Sequence, residues 1–181
     1  MNIFVGCGSR DNGYPWYRDT ILKLAHFIAD NNHNYVFGGS DKGIMGLIYS
    51  IVSANKNSKV FVSMCNAYKD ELKKIEYEKL VLCDTVNERK NGYTELSDIL
   101  VFIPGGFGTI DEIMAAIESK RAKEHNLPIV IINSCDYFKP LLEMFEKIYN
   151  EGFADENVRR LYFVASSANE AIDYLRHISN T

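Results

Sequence analysis

In Val101-Phe102-Ile103-Pro104-Gly105-Gly106-Phe107-Gly108-Thr109-Ile110-Asp111-Glu112 an apolar run meets a glycine turn and then a helix start. Ile99 to Ile103 is apolar at every position and predicts a buried strand, which Pro104 ends. Three glycines then strip side chains from the turn, so a ligand can approach the backbone closely. Thr109 suits the cap of the following helix, and Thr109-x-x-Glu112 fits a capping box. Such a turn aims unpaired N–H groups and the positive end of the helix dipole at one spot, which favours an anion, commonly phosphate. Asp111 and Glu112 in that first turn admit two readings. They complement the dipole and complete the capping box, or they bring a carboxylate to an anion site for chemistry.

Outward from this stretch, strands and helices alternate. Asn2 to Cys7 predicts a strand, and Trp16 to Asn31 a helix with Ile21, Leu24, Ala25 and Ile28 on one face. Tyr35 to Phe37 is a second strand, closed by Gly38-Gly39-Ser40-Asp41-Lys42-Gly43, and Ile44 to Asn55 a helix. Lys59 to Met64 and Lys79 to Cys83 predict strands, separated by a polar segment, Asn66 to Glu78, readable as a loop with a short helix. Thr85 to Leu96 predicts a polar helix leading into Ile99 to Ile103, and the helix after Thr109 extends to about Glu124. Leu127 to Asn133 and Leu161 to Val164 predict strands, with helices at Tyr137 to Tyr149 and Ala168 to His177. Apolar strands alternating with helices imply an α/β fold: a three-layer, Rossmann-like open parallel sheet with helices on both faces, in one domain over residues 1–181. Ligands of such sheets bind beyond the carboxyl ends of the strands. Three glycine turns fall there: Gly6 to Arg10, Gly38 to Gly43 and Gly105 to Thr109.

Composition narrows the functional classes. A net charge of -4 with scattered Lys and Arg argues against a nucleic-acid-binding protein. Cys7, Cys65, Cys83 and Cys135 form no CxxC pair and read as buried free thiols, which suits a reducing cytosol. No charged leader with an apolar core opens the chain, and no apolar stretch approaches the roughly 20 residues of a membrane helix. The expectation is a soluble cytoplasmic protein that binds no membrane.

Several chemistries lack their signatures. Gly6-x-Gly8-x-x-Asp11 is a partial dinucleotide fingerprint without its third glycine. There is no GxxxxGK[ST], and His26, His33, His125 and His177 are isolated, with no metal-ligand spacing. No lysine is singled out for a Schiff base. Val86-Asn87-Glu88-Arg89-Lys90 lies on the helix entering the strand before the glycine turn. It is either a solvated helix start or, if turned toward the glycine turn, an Arg and a Lys forming a phosphate clamp. In the second case the two cations also favour an ionised Glu112.

Pro104 to Glu112 resembles the PGGxGTxxE motif of the "Lonely guy" (LOG) proteins, cytokinin riboside 5'-monophosphate phosphoribohydrolases also described as possible lysine decarboxylases. Glu88-Arg89-Lys90 is similar to the family's MHxRK motif, Cys7-Gly8-Ser9 to CGSS, and Gly38-Gly39 with Gly43-Ile44-Met45-Gly46 to GGGxxGLMG. Glu151-Gly152-Phe153 is similar to a C-terminal EGF element, so the likeness spans nearly the whole chain. Arg10, Ser40, Val86, Asn87, Met64, Cys65, Glu118 and Ser119 depart from the family pattern, the last two where Thr-Trp is typical. The resemblance implies a hydrolase that cleaves a nucleoside 5'-monophosphate, cytokinin riboside monophosphate or AMP-like, to free base and ribose 5-phosphate. It implies Arg89 and Glu112 as catalytic. It implies Gly8, Ser9, Gly39, Glu71, Lys90, Gly105, Gly106, Phe107, Gly108, Thr109 and Asp111 as substrate-binding. It calls for no metal and no redox cofactor, and for a homodimer with the active site near the interface, to which the helix Ile113 to Ile117 contributes unless that stripe is core. The alternatives are a nucleotide- or molybdenum-cofactor-binding carrier of the same superfamily and a broad nucleotide nucleosidase in salvage.

Overall fold

In a computed structural model, which describes residues 1–10 and 15–179, seven strands form one parallel sheet. The strands are β1 (Asn2–Gly6), β2 (Asn34–Phe37), β3 (Val60–Cys65), β4 (Lys79–Cys83), β5 (Ile99–Phe102), β6 (Ile129–Ile132) and β7 (Phe163–Ala165). The helices are α1 (Arg18–Asp30), α2 (Gly43–Val52), α3 (Val86–Leu96), α4 (Phe107–Arg121), α5 (Lys139–Asn150) and α6 (Ala168–Ser179). The segment Asn66–Lys74, polar and ambiguous by pattern, is an exposed 3-10 turn. Asp11, the last residue of the partial dinucleotide fingerprint, lies outside the described residues.

Alternation along each strand divides the core into two layers. Ile3 and Val5, Tyr35 and Phe37, Ile99 and Val101, and Val130 and Ile132 face a layer shared with Ile21, Leu24 and Ile28 of α1, Ile44 and Ile48 of α2, and Leu175 of α6. Phe4, Val36, Leu100, Phe102, Ile129 and Ile131 face the other, shared with Tyr93 and Leu96 of α3, Ile113 and Ile117 of α4, and Phe145 of α5. The central strands β1, β2, β5 and β6 therefore bury both faces, as a covered parallel sheet requires, while the edge strand β4 is partly exposed. Burying a residue such as Leu24 or Ile113 contributes about 1.5–3 kcal/mol of transfer free energy, and conformational entropy offsets most of the sum.

The strand order is β4-β3-β2-β1-β5-β6-β7. The chain builds outward from β1 on one side, then returns and builds outward from β5 on the other. Right-handed crossovers then place the first three connections on one face and the later ones, from α3 on, on the other. The reversal opens a crevice between the carboxyl ends of β1 and β5, where Gly6 pairs with Phe102. The loop after β1 is tied to α2 by a hydrogen bond from the Ile44 amide to the Gly8 carbonyl, at 3.1 Å. Gly43, at φ +59°, lets that loop close, since a Cβ there would meet the Ser9 backbone. At Gly46 a Cβ would drive into the backbone of Asp41. We expect Gly46→Ala to cost about 2 kcal/mol or more, as overpacking against backbone does, read as a lower urea midpoint at unchanged slope.

Candidate functional site

Helix α4 begins earlier than the sequence predicts. Gly106 is the N-cap, in extended backbone, and offers no side-chain cap; Thr109 is already in the third helical position and buried. The capping box expected from Thr109 and Glu112 is therefore not made, and no acid stands in the first turn. The physical reason is that a glycine run carries no capping oxygen, so the helix starts where the backbone allows. The consequence is chemical. The first amides of α4, at Phe107, Gly108 and Thr109, have no intrahelical acceptor. Gly106, Phe107 and Gly108 are exposed, and nothing lies within 4 Å of where a Cβ would stand on either glycine. The helix start is open, uncapped and apt for an anion.

Gly105 holds this turn against the neighbouring one. A Cβ on Gly105 would collide with Thr109 Oγ1 and lie 2.9 Å from the Gly8 amide nitrogen. The Tyr137 hydroxyl donates to the Gly105 carbonyl, and its ring packs edge-on against Tyr17 at 5.5 Å. Tyr137 sits 32 residues beyond Gly105 in sequence, and no sequence pattern marks it.

The side-chain cap missing from α4 is found at the start of α3, where Thr85 is the N-cap. The Glu88 amide donates to Thr85 Oγ1 at 3.2 Å, and Glu88 Oε2 accepts from the Asp84 amide at 2.9 Å. Glu88 is spent on the cap, which sets the phase of α3 so that the next two residues turn toward α4. Lys90 Nζ donates to both carboxylate oxygens of Asp111, at 3.1 and 2.9 Å. Arg89 Nη2 lies 3.8 Å from Glu112 Oε1. The solvated-helix-start reading of this segment is thereby set aside for Arg89 and Lys90, whose side chains are only 20% and 17% exposed. Tyr93, one turn on, lies under Arg89 with its ring centroid 5.8 Å from the guanidinium carbon. Buried Ser63 of β3 donates to the Arg89 carbonyl at 3.0 Å, in the space Gly92 leaves by lacking a side chain. Arg89 Nε is buried and has no hydrogen-bond partner among the described residues, so one donor of the guanidinium is left unsatisfied.

Glu112 is 7% exposed, at the inner end of the crevice. Gly6, the last residue of β1, borders it: a Cβ there would stand 3.1 Å from Glu112 Oε2. Burial raises the Glu112 carboxyl from an ordinary 4.5 to about 7; Arg89 opposes this, Asp111 adds to it and Lys90 opposes it. This corrects the expectation that the two cations hold Glu112 ionised. At 3.8 Å Arg89 is too far for a hydrogen bond, so its attraction does not compensate the lost hydration. Lys90 is engaged with Asp111. A carboxyl titrating near neutrality is poised to take and return a proton.

The same shift has a sign for stability. The native protein holds a proton on Glu112 up to about pH 7, whereas the unfolded chain releases it near 4.5. Between those values the native state binds more protons, so Glu112 makes stability fall as pH rises through this window. We expect wild type to lose on the order of 3 kcal/mol from this group across the window, relative to Glu112→Gln, measured by urea unfolding at pH 5 and pH 8.

The remaining predicted site residues are placed differently. Gly8 and Ser9 lie on the loop beside Gly105, Gly8 half-buried and Ser9 exposed. Gly39 is buried at φ +84°, where a Cβ would meet Leu72, Val62 and Met64; its need for glycine is met by packing and backbone conformation. Glu71 is exposed on the 3-10 turn, next to Leu72, and is not drawn to the Arg89–Glu112 pair. Along α4, Ile113, Ala116 and Ile117 are core, while Met114 is 42% exposed. Cys7, Cys65 and Cys83 are buried free thiols as expected, but Cys135 is exposed. Among the described residues no group of three or more His, Cys, Asp or Glu is placed to hold a metal ion, and no helix is long and apolar enough to cross a membrane.

This geometry can be set beside known proteins. The family profile described as possible lysine decarboxylase matches residues 40–175, which include α3, the glycine turn and α4. Over 173 residues the chain is 27% identical to the cytokinin riboside 5'-monophosphate phosphoribohydrolase LOG2 of Arabidopsis thaliana, covering 96% of this chain and 81% of that protein. The chain belongs to the LOG family. Its fold is shared by the structural-genomics target TM1055, at TM-score 0.71 and 19% identity, covering 98% of this chain and 99% of that one. It is also shared by the molybdenum cofactor binding protein from Rippkaea orientalis, at TM-score 0.69 and 17% identity, covering 98% and 96%. In this LOG chain the PGGxGTxxE motif supplies the open helix start and the buried acid, and the RK pair supplies the cations facing them.

Proposed function

We propose that this chain hydrolyses the N-glycosidic bond of a nucleoside 5'-monophosphate, giving the free base and ribose 5-phosphate. The observation that carries the reading is one juxtaposition: a buried carboxyl poised near neutrality and a largely buried arginine 3.8 Å from it, directly behind an uncapped helix start. The 5'-phosphate sits on the amides of Gly106 to Thr109, with the exposed Ser9 hydroxyl and Lys90 beside it. Glycosidic cleavage builds positive charge on the ribose. Ionised Glu112 stabilises that charge and accepts a proton from the attacking water, whose oxygen bonds to the anomeric carbon as the carbon–nitrogen pair leaves with the base; Glu112 then gives that proton to the departed base nitrogen, so neutral base and ionised Glu112 result. Arg89 keeps its charge throughout and supports the departing base electrostatically. The phosphate and the departing base thus engage different groups, and Glu112 lies between them.

The reading includes the homodimer that the resemblance implies, and a cytoplasmic location. It leaves the base open between cytokinin-type and unsubstituted adenine. A carrier of the same fold is the second reading, which the likeness to the Rippkaea orientalis protein motivates at the level of fold. A carrier gains nothing from a carboxyl buried at the cost of its own ionisation, which favours the hydrolase. Incubation with AMP and with isopentenyladenosine monophosphate, followed by chromatography for free base, tests the proposal: release from either supports it, and tight binding with neither base released supports the carrier.

A further inference from the structure

Tyr137 belongs to none of the glycine turns or charged segments of the site, yet its hydroxyl donates to the Gly105 carbonyl. We infer that Tyr137 is a positioning residue: it fixes the peptide between Gly105 and Gly106, so that the Gly106 amide stays turned away from it as a donor at the head of α4. The inference rests on the nucleotide hydrolase reading, which seats the 5'-phosphate on those amides, and adds what holds them in their binding form.

Three observations support it. The first is peptide geometry. The Gly105 carbonyl and the Gly106 N–H share one planar trans unit and point opposite ways. A donor that holds the carbonyl on one side therefore sets the N–H on the other. Helix α4 does not set it: Gly106 is the N-cap, in extended backbone, and its amide has no acceptor among the described residues. The peptide turns about ψ of Gly105 and φ of Gly106, and no side chain locks either bond. Flipped over, it would offer an anion a carbonyl oxygen in place of a donor.

The second is the loop that carries Tyr137 between β6 and α5. Cys135 at φ 53° and Asp136 at φ 57° are both left-handed, a conformation unfavourable to residues with a Cβ. Such a pair persists only where its surroundings hold it. Here they do. The Ser134 hydroxyl is buried 2.6 Å from Thr20 Oγ1 of α1, and Cys135 Sγ donates to the Trp16 carbonyl at 3.4 Å. The Asn133 amide donates to the Ala165 carbonyl at 2.8 Å, and Asn133 Oδ1 accepts from the Phe138 amide at 2.7 Å. The strained pair delivers the next residue, Tyr137, to the glycine turn. The third is packing. The Tyr137 ring stands edge-on to Tyr17 at 5.5 Å and to Phe138 at 5.0 Å, so the hydroxyl is held in place from two sides.

The test is Tyr137→Phe, which keeps both ring contacts and removes only the hydroxyl, with folding checked by thermal unfolding. Wild type and variant are titrated calorimetrically with AMP, with ribose 5-phosphate and with adenosine, which lacks the phosphate. Expected is a loss of about tenfold in affinity for AMP and for ribose 5-phosphate, about 1.4 kcal/mol, with adenosine unchanged within twofold. Water can replace the phenol on the Gly105 carbonyl, but it holds the peptide in no single direction. If the variant binds the two phosphates as tightly as wild type, Tyr137 does not set the amide. If all three ligands weaken equally, the substitution disturbs the site at large and the positioning role is likewise overturned. Because calorimetry needs no turnover, a wild type that prefers AMP to adenosine and releases no adenine overturns the hydrolase reading alone, and the affinity comparison still decides the role of Tyr137. A wild type with no preference for AMP over adenosine overturns both.

Discussion

Glu112→Gln is expected to lower the rate of base release at least about 100-fold at pH 8, while making the protein more stable than wild type at that pH. The two effects have one origin. The Gln side chain matches the protonated acid in shape and lacks its charge, so it removes the proton acceptor and also the cost of a charge buried at 7% exposure. A site residue that costs stability is a common trade at functional positions. The opposite result would be informative: if Glu112→Gln is active, or is less stable than wild type at pH 8, the acid is a structural element. The pH profile adds a second reading. Wild-type kcat/KM should rise with pH through about 7, where Glu112 ionises, and then level.

Arg89→Ala should also lower turnover by about 100-fold or more, and should shift the acid limb of that profile to higher pH. Arg89 is the largest influence opposing the effect of burial on Glu112, so its removal leaves the carboxyl still harder to ionise. A residue that served only to anchor α3 would alter rate and stability and leave the limb in place. The variant tests position as well as charge. Arg89 sits with its Nε unpartnered over Tyr93, and its backbone carbonyl is held by Ser63. Arg89→Lys retains a cation and loses the planar fork, so it should recover part of the profile and little of the rate.

Much of the architecture is legible in the chain because the physics that reveals it is local. Ile99 to Ile103 and Leu127 to Asn133 are apolar throughout, so a strand buried on both faces is their simplest fate. The site is legible where spacing carries it: Arg89 and Lys90 follow a capping pair, and Glu112 follows a glycine turn. What resists reading is what side chains do not announce. Gly106 caps α4 silently, and Thr109, the obvious cap by residue type, is drawn inside. Tyr137 reaches Gly105 from another element, and Ser63 meets Gly92 across 29 residues of chain, contacts that exist only after the sheet has formed. The ionisation of Glu112 is hidden from the sequence for a related reason. Its cationic neighbours are visible as letters, but the depth of its burial is a property of the folded crevice.

The most direct measurement follows the phosphorus of AMP by NMR during incubation with wild-type protein, with adenine quantified in parallel. The account predicts that the AMP resonance is replaced by that of ribose 5-phosphate, with one adenine released for each, and that Glu112→Gln stops the conversion while still binding AMP. An AMP resonance that shifts on binding yet stays intact at every pH from 6 to 9 would contradict it.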